Sequence, residues 1–500
     1  MPAHITATDI WLLSPELTVT LLGLLVLGMD LVVKRRVVTA TVAVGGLVIP
    51  FLAVLSLIFE WFGPLPQNRT AFWGMLVVDQ YAIFFELLFL VIAAIVGLAA
   101  YRYTVQFSRA TVGEYYSILL LSVAGMMLMG SSRELITIYI SLELTSIPLY
   151  ILAGLSRTDT RSAEAAVKYV LLGAMSSAIL LYGMALLYGA TGSTDLGEIA
   201  AAAVNGLKSG NLLLLIADVF IFTGFGFKIS AVPFHMWAPD IYEGAPTPST
   251  LFFSVGSKAA GFAALLRIFV AGGLVSTSNN YLWVMVAVVA ALTMTVGNVA
   301  ALLQTNIKRM MAYSSIGQAG YLLLGLAALM IHNTPEGAGA VLVFLAVYVL
   351  TNLGGFAGII ALADATGHEN IRDFDGFGRR SPGIAAGLAL CMLSLAGMPP
   401  MAGFFSKLFI FFTAWQAGSA LTWLVILGLI NSAISMVYYV NIAWRMFVVD
   451  SDKHDRLSTP RGVAVSMAIS VIGIIALTVL FGPLLTQIGQ SAASLFAFLR

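Results

Sequence analysis

The stretch GFGFKISAVP, Gly224 to Pro233, sets a lysine among helix breakers inside an otherwise apolar run. Lys228 falls in the middle third of a span predicted over 211–238. A charged side chain at the bilayer centre costs about 2.5–3.5 kcal/mol on insertion scales. Proline removes an N–H and clashes with the preceding turn, and glycine lets the chain open. A second stretch repeats the arrangement. LAGMPPMAGFFSK, Leu395 to Lys407, places Gly397, Pro399, Pro400 and Gly403 ahead of a lysine deep in a span predicted over 383–414. Unwound backbone at membrane depth persists only where it is buried in protein or faces water. Interrupted helices in corresponding positions of two halves point to a transport site. Either stretch alone also admits the reading of an ordinary proline kink, which is common in spans. Two matched breaks with a lysine near each argue against that.

The rest of the chain supports a lipid solvent. Apolar types make up 60% of the 500 residues, charged types 10%, and the mean hydropathy is +0.96. A soluble domain runs near 45–50% apolar and about 25% charged. A span needs ~20 mostly apolar residues, and about fourteen are predicted, roughly at 12–33, 38–61, 79–101, 115–131, 135–154, 163–189, 211–238, 250–271, 281–303, 308–331, 339–364, 383–414, 420–446 and 462–488. The fold class is an all-α polytopic membrane protein with broken seventh and twelfth helices. Spans 4–8 and 9–13 form two five-helix units, inverted because their helix number is odd. A single membrane domain is expected: helices 1–3 over 1–110, the repeats over 111–275 and 276–448, and a last helix over 449–500. The first apolar run follows acidic Asp9 and Glu16 rather than a basic signal segment, so it is read as a permanent span.

Basic residues sort by loop. One side carries Lys34, Arg35, Arg36, Arg102, Arg109, Arg157, Arg161, Lys308, Arg309, Arg372, Arg379, Arg380, Arg445, Lys453, Arg456 and Arg461, and the other only Arg69, Arg133, Lys208 and Arg500. The positive-inside rule makes the first set cytoplasmic and puts both termini outside. The remaining cations, Lys168, Lys228, Lys258, Arg267 and Lys407, fall inside predicted spans, as does Glu143 in the middle of the fifth. Asp30, Glu86, Glu164 and Asp218 lie in or near spans. Arg267 stands four residues from its helix end, where a long side chain snorkels to the headgroups, and Lys168 is also near an end. The other three lysines are too deep for that.

Lysine is informative as a type, because its pKa falls readily on burial whereas arginine stays charged. A row of buried lysines is therefore loaded and unloaded with protons. A carboxylate such as Glu143 holds the proton on a nearby lysine, and moving the two apart ejects it. His235, seven residues after Lys228, shares its face if the helix continues and could pass a proton onward. Ser230, Thr247 and Ser249 are weaker candidates for holding relay waters.

Other chemistries are excluded. One thiol, Cys391, does not hold an iron–sulfur cluster or a structural zinc. His4, His235, His332, His368 and His454 are scattered. The chain has no phosphate-binding loop and no dinucleotide fingerprint. The net charge of +1 argues against nucleic acid as a partner.

Four runs carry a family resemblance: VPFHMWAPDIYEGAPTPS (Val232 to Ser249), LELTSIPLYIL (Leu142 to Leu152), KRMMAYSSIGQAGY (Lys308 to Tyr321) and LAGMPPMAGFFSK. They resemble the antiporter-like membrane subunits of bacterial NADH:quinone oxidoreductase, respiratory complex I, from about the third helix to the thirteenth. Sister branches place paired histidines before the tryptophan of the first run. Here Phe234-His235 stands instead, with Tyr242-Glu243-Gly244 further on, as in the subunit N branch. The resemblance implies a proton-translocating subunit in the bacterial plasma membrane without a cofactor of its own. Glu143 would modulate the relay, with Lys168 as its neighbour. Lys228 would be the channel centre, Lys258 the connecting lysine and Lys407 the lysine of the exit half. It implies other membrane subunits and a peripheral arm with flavin (FMN) and iron–sulfur clusters as partners, with quinone bound elsewhere. The alternatives are an Mrp-type sodium/proton antiporter, which would use the same lysines, and a non-conducting scaffold.

Overall fold

The computed structural model describes residues 5–497 except 34, 64, 66–68, 107–111, 157, 209–211, 275–280 and 452–454. Lys34, Arg109, Arg157, Lys453 and Arg500, with His4 and His454, lie outside the described residues. Helices follow in the order α1 (Ala7–Leu12), α2 (Ser14–Val32), α3 (Arg36–Gly45), α4 (Val48–Ile58), α5 (Gln80–Gln106), α6 (Val112–Ser131), α7 (Leu135–Ala153), α8 (Thr160–Thr191), α9 (Leu196–Lys208), α10 (Leu212–Lys228), α11 (Trp237–Gly244), α12 (Thr247–Phe252) and α13 (Lys258–Ala271). The second half holds α14 (Tyr281–Leu302), α15 (Ile307–His332), α16 (Pro335–Thr366), α17 (Phe377–Arg380), α18 (Pro382–Ala396), α19 (Ala402–Gln416), α20 (Ser419–Phe447), α21 (Arg461–Val479) and α22 (Phe481–Leu495). A two-stranded hairpin, β1 (Thr70–Ala71) against β2 (Leu76–Val77), precedes α5.

In lipid every backbone polar group must be satisfied internally, and helices do this within one segment. Among the described residues, twelve helices are long and apolar enough to cross a membrane. Polar caps set where some begin. The Glu134 side chain accepts from Thr137 N ahead of α7, and Asn306 accepts from Lys308 N and Arg309 N ahead of α15. The seventh and twelfth predicted spans are interrupted, as the glycines and prolines require. The last predicted span, 462–488, is two helices, α21 and α22, meeting at Leu480. Helix α9 is an addition between spans that the sequence reading left as loop.

Three helices form the interior. Every residue from Thr247 to Ala271 is buried, and α15 and α16 are almost wholly enclosed. Helices α2, α20 and α21 are peripheral and turn large apolar side chains outward, Leu25, Val437 and Ile472 among them. Inner and outer faces are both apolar, so packing rather than amphipathicity decides which face is inside.

Both breaks have their loose backbone groups captured. After Lys228, Ala231 N donates to Gly226 O at 2.7 Å, Val232 N to Thr293 Oγ1 at 3.0 Å, and Trp237 Nε1 to Phe227 O at 2.8 Å. At the other break Gly397 is left-handed (φ 83°). Its N–H donates to Ser394 O and that of Met398 to Leu393 O, the paired bonds of a Schellman stop. Gly403 then packs so close to α18 that a Cβ there would lie 1.8 Å from Ser394 O. A third irregularity was not expected: Phe253–Ser257 forms a π turn directly before Lys258, a feature often found at functional sites.

A buried lysine row as the candidate functional site

Lys228, Lys258 and Lys407 are each at most 4% exposed. Among the described residues none of them has a carboxylate within ion-pair distance, and all are held by neutral oxygens. Lys228 Nζ donates to Ser146 Oγ at 2.8 Å. Lys258 Nζ donates to the Ser315 carbonyl at 2.6 Å and to the Ser315 hydroxyl. Lys407 Nζ donates to Ala396 O at 3.1 Å and Ser432 Oγ at 3.3 Å, and lies 5.1 Å from the centre of the Tyr321 ring. Neutral dipoles of this kind hold an ammonium without fixing its proton as a carboxylate would.

Helix α15 joins two of the three sites. Ser315, Gln318 and Tyr321 recur every three residues and so share a face, about 9 Å long at the helical rise. Lys258 sits on the first and Lys407 over the last. Between them, Gln318 Nε2 donates to Leu395 O at 3.3 Å and to Tyr439 Oη at 3.2 Å. Ser315 Oγ lies 2.9 Å from Tyr348 Oη, whose hydroxyl donates to Ser254 O at 2.8 Å in the π turn. A cavity of about 10 Å³, lined in part by Tyr348, Gln318, Ser394, Ser406 and Lys407, has room for roughly one water. A second cavity of about 10 Å³ touches Lys228, Ser146, Tyr150, Ser176 and Ser177.

Glu143 is half-buried on α7, three residues before Ser146 and hence on the same face as the Lys228 contact. Its charge acts on Lys228, and its Oε1 has no hydrogen-bond partner among the described residues. Lys168 is elsewhere. Its side chain is 42% exposed and pairs with Glu164 and Asp240, each at 2.8 Å. The resemblance makes Lys168 the neighbour of Glu143; the carboxylates it pairs with are Glu164 and Asp240, because α11 brings Asp240 to the start of α8. Arg309 joins the same cluster through Asp240 and Glu243, each at 2.9 Å. Burial pushes the Asp240 carboxyl up, but hydrogen bonds from Lys168 and Arg309 outweigh that and hold it below the usual range.

Two further expectations change. His235 lies in the turn between α10 and α11, so the shared helical face with Lys228 does not exist. Its Nδ1 has no partner among the described residues. Arg267 does not snorkel. It is fully buried, bonded to Asp79 at 2.5 and 3.0 Å and to Gly130 O at 2.6 Å. Asp79 supplies the counter-charge that makes depth tolerable. Asp218 is buried about 15 Å along α10 from Lys228. Sequence reasoning missed Ser146, Ser315, Gln318, Tyr348, Ser432 and Tyr439. The three-residue recurrence of polar groups in the apolar α15 was the available signal.

The fold and site define a class: a many-helix membrane protein with two interrupted spans and an interior row of neutral-bonded lysines. The chain belongs to the NADH:quinone oxidoreductase/Mrp antiporter membrane family, whose model matches residues 132–435. It is 44% identical over 496 residues to a Symbiobacterium thermophilum protein named NADH-quinone oxidoreductase subunit N 2, covering 96% of each. It superposes on a chain of respiratory complex I from Thermus thermophilus solved with bound aureothin, with a TM-score of 0.76, 31% identity, and 94% and 98% of the two chains covered. A chain of the Mrp complex from Dietzia sp. DQ12-45-1b gives a TM-score of 0.85 at 20% identity, over 99% and 98% of the chains, which is a likeness of fold.

Proposed function

We propose that the chain is the proton-translocating membrane subunit of a respiratory NADH:quinone oxidoreductase, driven by electron transfer in partner subunits. The observation that carries this reading is the row Lys228, Lys258 and Lys407, buried and bonded only to hydroxyls, carbonyls and a ring. Glu143 modulates the charge on Lys228. Lys258 connects the halves through Ser315 and Tyr348, and Lys407 serves the exit half. Lys168 acts at the cytoplasmic end, in the ionic cluster with Asp240 and Arg309, and His235 lies beside the first break. The chain itself performs no redox step. Flavin, iron–sulfur clusters and quinone reside in partner subunits, namely the peripheral arm and the other membrane subunits. The two interrupted spans belong to inverted five-helix repeats. The protein resides in the bacterial plasma membrane with both termini outside.

The pump stroke follows from electrostatics. Glu143 near Lys228 favours the ammonium, and withdrawing that charge leaves a buried lysine that sheds its proton to the next group. The reconstituted complex with Lys228→Ala tests this, with quinone reduction read in parallel. Lost pumping in an assembled complex is the expected result. Pumping and electron transfer equal to the parent would leave a scaffold role. Sodium-dependent flux by the isolated protein would favour the Mrp-type antiporter reading.

A further inference from the structure

A second set of buried ionisable groups stands at the other end of α13. Lys258 opens that helix, and Arg267 lies nine residues on, about 14 Å along the axis. The Arg267 guanidinium holds Asp79, donates to Gly130 O, and lies 4.6 Å from the centre of the Tyr81 ring. Next to Gly130, Ser131 donates to Glu16 Oε1 at 3.1 Å. Phe85, whose Cβ stands 3.2 Å from where a Cβ on Gly130 would be, neighbours Glu86. Glu86 is 0% exposed and Glu16 is 3% exposed. Among the described residues, neither oxygen of Glu86 has a hydrogen-bond partner, nor does Oε2 of Glu16.

The charges acting on Glu86 are those of Glu16, from α2, and Asp79, ahead of α5. Arg267 comes from α13 and Tyr81 from α5 itself. Helices α6 and α22 bring Ser131, the Gly130 carbonyl and Ser494. Of the three carboxylates, Asp79 has a cation within ion-pair distance, Arg267, and among the described residues Glu16 and Glu86 have none. An ionised carboxylate without donors is strongly disfavoured in an apolar interior, and two carboxylates at one site do not both ionise. We propose that Glu86 and Glu16 form a proton-holding carboxylate pair, a protonatable site separate from the lysine row, with the Arg267–Asp79 bridge as its fixed neighbour. Its ligand is a single proton. The groups gather where α2 and α5 begin and α6 and α13 end, opposite the ionic cluster of Lys168, Asp240 and Arg309.

Infrared difference spectra of the intact respiratory complex test the site without turnover, so the outcome is independent of the lysine relay. The parent is expected to show a protonated-carboxyl band that moves on exchange into heavy water. Glu86→Gln, in a complex of normal subunit content, is expected to lose that band, and Glu16→Gln to shift it. A Glu86→Gln spectrum superimposable on the parent's overturns the proposal. Should Glu86→Gln fail to assemble, Glu16→Gln decides alone: an unshifted band means the two glutamates share no proton.

Discussion

Gly403→Ala is the sharpest probe of the second break. The new Cβ would stand 1.8 Å from Ser394 O and 2.6 Å from Ser394 C. Real Cβ contacts essentially never fall under 3.0 Å, so α18 and α19 must part by at least 1.2 Å, the difference between 3.0 and 1.8 Å. Lys407 follows one turn after Gly403, and its Nζ reaches back to Ala396 O at 3.1 Å. The same parting stretches that bond past 4 Å, beyond hydrogen-bond range. A hydrogen bond to a charged group contributes about 1.5–3 kcal/mol, so proton binding at Lys407 should weaken by roughly 10- to 100-fold. The assay is proton uptake by proteoliposomes carrying the complex, with quinone reduction and subunit content measured on the same preparation. The expected result is an assembled complex whose pumping falls by an order of magnitude or more. Parent-level pumping from assembled Gly403→Ala would refute the argument that this contact seats Lys407.

Three further outcomes are expected. Ser315→Ala removes one of two Lys258 acceptors and the contact to Tyr348, and should slow coupled proton transport about tenfold; unchanged transport would remove Ser315 from the path. Asp79→Asn leaves Arg267 buried without its counter-charge, at a cost of about 3–5 kcal/mol. Thermal unfolding should show the loss, and Asp79→Leu with Arg267→Leu should recover most of it; a single variant as stable as the parent would show that the bridge is dispensable. Because the Asp240 carboxyl is held low in the folded protein, its contribution is present above the usual carboxylate range and lost as pH falls through the lowered value. The half-exposed pairs limit it to about 1 kcal/mol. Melting of the parent against Asp240→Asn should differ slightly at neutral pH and converge in acid; a gap that widens in acid would contradict the sign.

The architecture was legible because lipid imposes strong rules. Long apolar runs had to be helices, and glycine with proline at 224–233 and 395–407 marked the breaks. The depth of Lys228, Lys258 and Lys407 followed from their position in those runs. Partnerships were not legible. Arg267 and Asp79 are 188 residues apart, so the arginine read as a snorkelling side chain until its counter-charge was located. Lys168 reads as near a helix end, but its partner Asp240 comes from α11, 72 residues further on. The π turn at Phe253–Ser257 has no glycine–proline signature and depends on what α12 and α13 pack against. Ser315 and Gln318 gain meaning only once a lysine from another helix rests on each end of their face.

The complete enclosure of α12 and α13 has an electrical consequence. Lys258 is 1% exposed and every residue from Thr247 to Ala271 is covered by other parts of the chain, so protein and not lipid forms its dielectric. The Lys258 ammonium meets groups of the protein, Ser315 directly and Tyr348 through it, so a charge placed there is stabilised by fixed dipoles of the chain.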